Sequence, residues 1–181
     1  MMKRILIPVD FSEPSLKALD YAVGLARRRR PEPHLIVLHV VEPVYYPAVG
    51  EMYGVGLDLG SVYDEIEQAA REQVTRLATS LRQRGAAARG LICLGTAAHA
   101  IVETATKLKA DLIVLSTHGR TGLSHAVMGS VAERVVRTAP CAVVTVRAAA
   151  KRRRPAAPRR ASRRSTVPKS HVGGRRLAAR A

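Results

Sequence analysis

The chain has 181 residues, 47% of them hydrophobic and 24% charged, with 30 Lys and Arg against 14 Asp and Glu and a formal net charge of +16. That length suits one core of ordinary size with sequence to spare, and the longest apolar runs, ILIPV (5–9) and LIVLHVV (35–41), fall far short of the roughly 18 residues a membrane helix needs. Residues 148–181 hold 12 of the 30 cations and none of the acids, which leaves residues 1–147 at +4, so the total does not make the body a nucleic-acid-binding domain.

The segment RILIPV (4–9) is a short β-branched run and predicts a first strand. The MMKR before it has the charge of a signal peptide, but ILIPV is too short for an apolar region and Asp10 interrupts it; a soluble, cytoplasmic protein is expected. Ser12 can cap a helix whose first turn tolerates Pro14 and whose apolar positions are Leu16, Leu19, Ala22, Val23 and Ala26. The arginine run 27–30 and PEP end it. HLIVLHVV (34–41) is apolar on both faces, as suits a central parallel strand covered on two sides, and His39 within it reads as a satisfied core histidine.

PVYYPAVGEMYGVGLD (43–58) predicts a long loop. Its Tyr45, Tyr46 and Tyr53 pack onto the body, cover a ligand or join a dimer contact. From 59 to 84 the series Val62, Ile66, Ala70, Val74, Leu77, Leu81 forms one apolar helical stripe, predicted as core and terminated by Gly85. ARGLICL (88–94) predicts the third strand, and Gly95 and Thr96 open the next helix, with Thr96 as its cap. DLIVLS (111–116), VAERVVRT (131–138) and AVVTVR (142–147) complete the series as strand, helix and strand.

Cys93 and Cys141 have no C-x-x-C partner and no histidine at ligand spacing, so they read as small buried residues at strand positions. The six histidines, at 34, 39, 99, 118, 125 and 171, follow no zinc pattern; no metal site is expected. Five strands alternating with four helices predict an α/β domain, an open parallel sheet with helices on both faces in a doubly wound, flavodoxin-like arrangement ending near Arg147. Residues 148–181 have almost no large apolar side chains and predict a disordered basic tail. It is a solubilising appendage or a polyanion contact working through counterion release; without aromatic residues it has nothing to stack on bases.

The stretch STHGRTGLSHAVMGS (116–130) lies between the fourth strand and the last helix. It is neither a Walker A loop nor G-x-G-x-x-G, nor a G-x-S-x-G elbow, and no acid within it orients a histidine base. Anion binding remains. Gly129 and Ser130 open a helix whose first amides and dipole favour a phosphate, Gly119 and Gly129 let the main chain approach a ligand, and Thr117 and Ser130 add hydroxyl donors. In a sheet ordered 3-2-1-4-5 the winding reverses between strands 1 and 4, so Pro8, Val9 and Asp10 face this loop across the crevice where such folds bind ligands. Asp10 alone reads equally as a ligand or as an Asx-turn cap, and Arg120 either screens phosphate charge or is solvated.

PVDFSEPSLKALDYA, LHVVEP, GTAAHAIV and STHGRTGLSHAVMGSVAERVVRTAPCAVVTVR together resemble the universal stress protein A family over residues 3–147. ATP-binding members carry G-x2-G-x9-G-[ST]; the matching positions here are Ser116, Gly119, Gly129 and Ser130, with serine in place of the first glycine. The resemblance implies a five-stranded parallel sheet of adenine nucleotide alpha hydrolase-like winding. It also implies that main chain around Pro8, Val9, Asp10 and Val40 holds adenine and ribose. Gly119, Gly129, Ser130 and Val131 would hold the phosphates, with His118 and Arg120 nearby and Mg²⁺ as a companion of ATP. A homodimer through the last strand (142–147) is implied as well, in keeping with an apolar sheet edge. Since no residue is placed as a general base for attack on a γ-phosphate, ATP is expected as a regulatory ligand, hydrolysed slowly at most. The competing expectation is a nucleotide-free dimeric interaction protein whose tail contacts nucleic acid or another acidic partner.

Overall fold

A computed structural model describes residues 2–42, 59–117 and 128–147. Five strands, β1 (Arg4–Pro8), β2 (His34–Val41), β3 (Ala88–Leu94), β4 (Leu112–Ser116) and β5 (Ala142–Val146), alternate with helices α1 (Glu13–Arg27), α2 (Leu59–Gln83), α3 (Ala97–Lys107) and α4 (Ser130–Thr138). All the strands are parallel, in the order β3-β2-β1-β4-β5, as the alternation and the family resemblance predicted. The chain divides into two units, Met1–Ala150 and Lys151–Ala181, and the second lies outside the described residues, as do Tyr45, Tyr46 and Tyr53.

The winding follows from handedness. Right-handed crossovers from β1 through β2 to β3 put α1 and α2 on one face, and the return to β4 and β5 on the other side of β1 puts α3 and α4 on the opposite face. The core divides the same way. Ile5, Ile7, Leu35, Val37, Leu112 and Val114 meet α1 and α2, while Leu6, Ile36, Leu38, Ile113 and Leu115 meet α3 and α4. Covered on both faces, the three central strands carry apolar residues at their buried positions.

Local chemistry sets the element ends. Ser12 caps α1 with its hydroxyl accepting from the Ser15 amide, and Pro14 lies in the first turn, where no intrahelical amide bond is lost. Gly85, at φ 85°, ends α2: its amide donates to Arg82 O at 2.9 Å and the Ala86 amide to Leu81 O at 3.0 Å, a Schellman arrangement. Two expectations are corrected. In α2, Ala70, Val74, Ala78 and Leu81 are buried, but Val62 and Ile66 are 48% and 45% exposed, so the stripe is core only in its second half. Cys93 and Cys141 are free and half-buried rather than buried.

Candidate functional site

The sheet opens where β1 and β4 part. Their pairing covers Ile5 with Leu112 and Leu6 with Ile113, whereas β1 stays with β2 through Pro8 and β4 with β5 through Ser116. Proline explains the parting. Along β1, Val9 donates to Leu38 O on β2 at 2.8 Å, while Arg4 accepts from Asp111 beside β4, so Leu6 and Pro8 also turn toward β4. Pro8 has no N–H, and the ladder loses the donor that would extend it. The resulting gap is the switch point of the fold.

Beyond the gap, the ends of the 118–128 connection are tied together. Thr117 N donates to Val146 O at 3.1 Å, and the Gly129 amide donates to Thr117 O at 2.8 Å. Gly129 is the N-cap of α4, at φ −61° and ψ 150°, and makes no side-chain cap bond. The helix therefore starts beside the end of β4, and the amides of Ser130, Val131 and Ala132 have no partner within it. An open cleft of about 600 Å³ runs from Ser130 and Val131 to Glu42 past β2 and to Thr96 and Ala98 at the start of α3, with Glu133, Arg134 and Arg137 along its α4 wall. Its size falls in the roughly 300–1,000 Å³ range of small-molecule sites.

Strand alternation sorts the sequence candidates. Pro8 shares a face with Leu6, and Val40 packs against the α3–α4 core layer; both lie on the side where the cleft opens. Val9 points into the α1 layer and is 4% exposed; its amide serves Leu38, and its carbonyl accepts from Nδ1 of His39 at 2.7 Å. Ser116 follows Val114 by two residues and pairs with Val146, both set against the α1 side, so its side chain leaves the cleft face. Asp10 holds the turn into α1, its Oδ1 accepting from Ser12 N at 3.1 Å and Ser12 Oγ at 2.5 Å. Ser130 and Val131 line the cleft, and Gly129 precedes them as the N-cap. His118, Gly119 and Arg120 lie outside the described residues.

Other residues were not singled out by the sequence. Glu42 Oε1 accepts from the Ala97 amide at 2.7 Å, taking the capping role expected of Thr96, which occupies the N-cap position without a side-chain bond. An acid directly after a strand, at the edge where helices begin, was the available signal. Arg137 pairs with Glu133 one turn away at 3.4 Å, while Arg134 on the same wall adds positive charge to the cleft. Asp111 and Cys141, whose ionisation is displaced, both precede strands and so lie at the opposite edge: Lys3 and then Arg4 amide bonds hold Asp111 low, and burial, then the Asp111 charge, pushes Cys141 up. Among the described residues no group of three His, Cys, Asp or Glu could hold a metal ion, and no helix is long and apolar enough to cross a membrane.

The molecule is thus a doubly wound α/β protein with a cleft bordered by the residue after β2 and the starts of α3 and α4, running along α4. Residues 1–147 match the Universal stress protein family, and the chain belongs to that family. It is 36% identical over 148 residues to universal stress protein MJ0531 of Methanocaldococcus jannaschii, covering 81% of this chain and 83% of that one. The structure of universal stress protein UspA from Lactobacillus plantarum superposes with a TM-score of 0.66 at 28% identity, covering 80% of this chain and 97% of that one. A universal stress protein from Archaeoglobus fulgidus, solved in complex with dAMP, shares the fold with a TM-score of 0.55 at 23% identity, over 80% of this chain and 97% of its own.

Proposed function

We propose that this protein binds ATP at the carboxyl edge of its sheet and uses it as a regulatory ligand in a cytoplasmic stress response. The observation that carries the proposal is the start of α4: Gly129 is fixed to Thr117 at 2.8 Å, and Ser130 and Val131 after it line a cleft of about 600 Å³. Such a helix start favours a phosphate through its unpaired N–H groups and its dipole. Pro8 and Val40 offer apolar surface for a base on the same side, and Ser130 adds a hydroxyl. The Archaeoglobus protein that shares this fold was solved in complex with dAMP, the class of ligand proposed for this chain. Bound ATP would bring its triphosphate charge, with Mg²⁺ as counterion, to the mouth of α4. The reading extends to Asp10, His118, Gly119 and Arg120 as surrounding residues, to residues 1–147 as the binding domain, and to a homodimer through β5.

Isothermal titration of the full chain with ATP and Mg²⁺ tests this, beside the variant Gly129→Asp. Backbone angles at Gly129 accept any side chain, and aspartate is a good N-cap, so the variant should melt no lower than wild type. Its carboxylate occupies the phosphate position and should weaken ATP binding roughly 10- to 100-fold, by repulsion at a partly screened site, while adenosine binding changes little. No heat with wild type at millimolar ATP, or equal affinity in the variant, overturns the proposal.

A further inference from the structure

Among the described residues, a cluster of exposed arginines lies at the other edge of the sheet. Arg27 closes α1 and Arg28, Arg29 and Arg30 follow it, all exposed; Arg82 and Arg84 are exposed at the end of α2. A bond from Arg27 Nη2 to Arg84 O at 3.1 Å joins the two ends. The guanidinium bonds of this cluster run mainly to carbonyls, Arg30 to Arg27 O and Arg29 O and Arg82 to Ala88 O. Among the described residues, none of the six is in an ion pair. Arginines at helix ends ordinarily offset the dipole, but two helix ends amount to roughly one negative charge. With half-buried Glu32 as the carboxylate in the same turn, most of the six charges stay uncompensated.

One turn back along α1, the exposed face adds a recess of about 140 Å³ lined by Tyr21, Gly24, Leu25 and Arg28. Tyr21 is 49% exposed, and open space lies over Gly24, where a Cβ would meet nothing within 4 Å. The spacing i, i+3, i+4, i+7 puts all four on one stripe. We propose that this surface binds single-stranded nucleic acid, with phosphates on the arginines and one base stacked on Tyr21. Guanidinium groups suit phosphate by their planar fork, and an exposed aromatic beside them is the element that sequence-tolerant strand binding uses. An acidic peptide would engage the arginines and leave the recess empty, and a duplex keeps its base faces hidden.

The test is fluorescence anisotropy of a labelled oligothymidylate with the full chain at increasing salt. The tail's cations contribute equally to every variant, so differences isolate this surface. Replacing three arginines together (Arg28→Gln, Arg29→Gln, Arg30→Gln) should reduce the log–log salt slope by about two, at roughly 0.7 per phosphate contact on a single strand. Tyr21→Ala should weaken binding roughly 5- to 100-fold with the slope unchanged. Both variants alter exposed side chains, and unchanged melting curves confirm their folding. A slope unchanged in the triple variant assigns binding to the tail and overturns the proposal. Wild-type affinity in Tyr21→Ala, or a duplex bound as tightly as the single strand, leaves a general polyanion surface and overturns the single-strand assignment.

Discussion

Asp111, just before β4, ties the amino terminus to the sheet: its Oδ2 accepts from Lys3 N at 2.7 Å and Arg4 N at 2.8 Å. Those two bonds hold its carboxyl below the ordinary range. A carboxyl whose folded pKa is depressed adds stability above its unfolded pKa and loses it as pH falls through the folded one. Asp111→Asn should therefore cost about 1 kcal/mol at neutral pH, a charged hydrogen bond discounted for exposure. The gap should close as pH drops below the usual carboxylate range, and urea denaturation across that range measures it. Sequence showed Asp111 only as the first residue of the predicted fourth strand, because its partners lie more than a hundred residues away. The same limit hid Glu42: its acid was visible, but the Ala97 amide it caps is brought near only when β2 and β3 pair. Asp10 was more legible, since an Asx-turn and its Ser12 partner are local.

The four helices were readable because period and punctuation are local; how far each reaches over the sheet was not. Helix α2 has 25 residues and β3 has 7, about 37 Å against about 23 Å. Periodicity draws an unbroken stripe along it, yet only the part from Ala70 onward lies over strands, and Val62 and Ile66 overhang. Where α2 does cross β3 it comes unusually close: a Cβ added at Gly90 would collide with Val74 Cγ1 and stand 3.3 Å from Val74 O. Because backbone stands on the far side of that contact, the helix must move. Gly90→Ala should destabilise the fold by roughly 1–3 kcal/mol as overpacking. Val74→Ala in the same chain should recover part of that loss, a coupling expected of touching residues. Chemical denaturation of the four proteins in this cycle gives the answer; additive effects would mean that Gly90 does not matter through Val74.

Across the whole molecule, the doubly wound parallel sheet was legible because few topologies satisfy alternating elements and right-handed crossovers; the order 3-2-1-4-5, which sets the switch point, is one of the windings those rules allow. The cleft's side of the sheet was not, since it depends on which face Pro8, Val40 and Ser116 present, and alternation fixes that only once register is known. Register also shows how two copies would meet. Val146 O faces β4, accepting from Thr117 N at 3.1 Å, so Val144 shares that direction while Val143 and Thr145 turn their N–H and C=O groups to the open edge of β5. Residues 143–146 are half-buried at this edge, and a half-buried strand edge is a template for pairing with a second copy. Thr145→Pro removes one outward donor and leaves the β4–β5 ladder intact, the placement proline tolerates in edge strands. If β5 joins two copies, sedimentation velocity should show wild type as a dimer and Thr145→Pro dissociating at a concentration at least about tenfold higher, the loss of roughly 1.4 kcal/mol or more, with its melting temperature nearly unchanged at low concentration. A dimer indifferent to the proline would have to form through another surface, and a monomeric wild type would leave this edge without a partner copy.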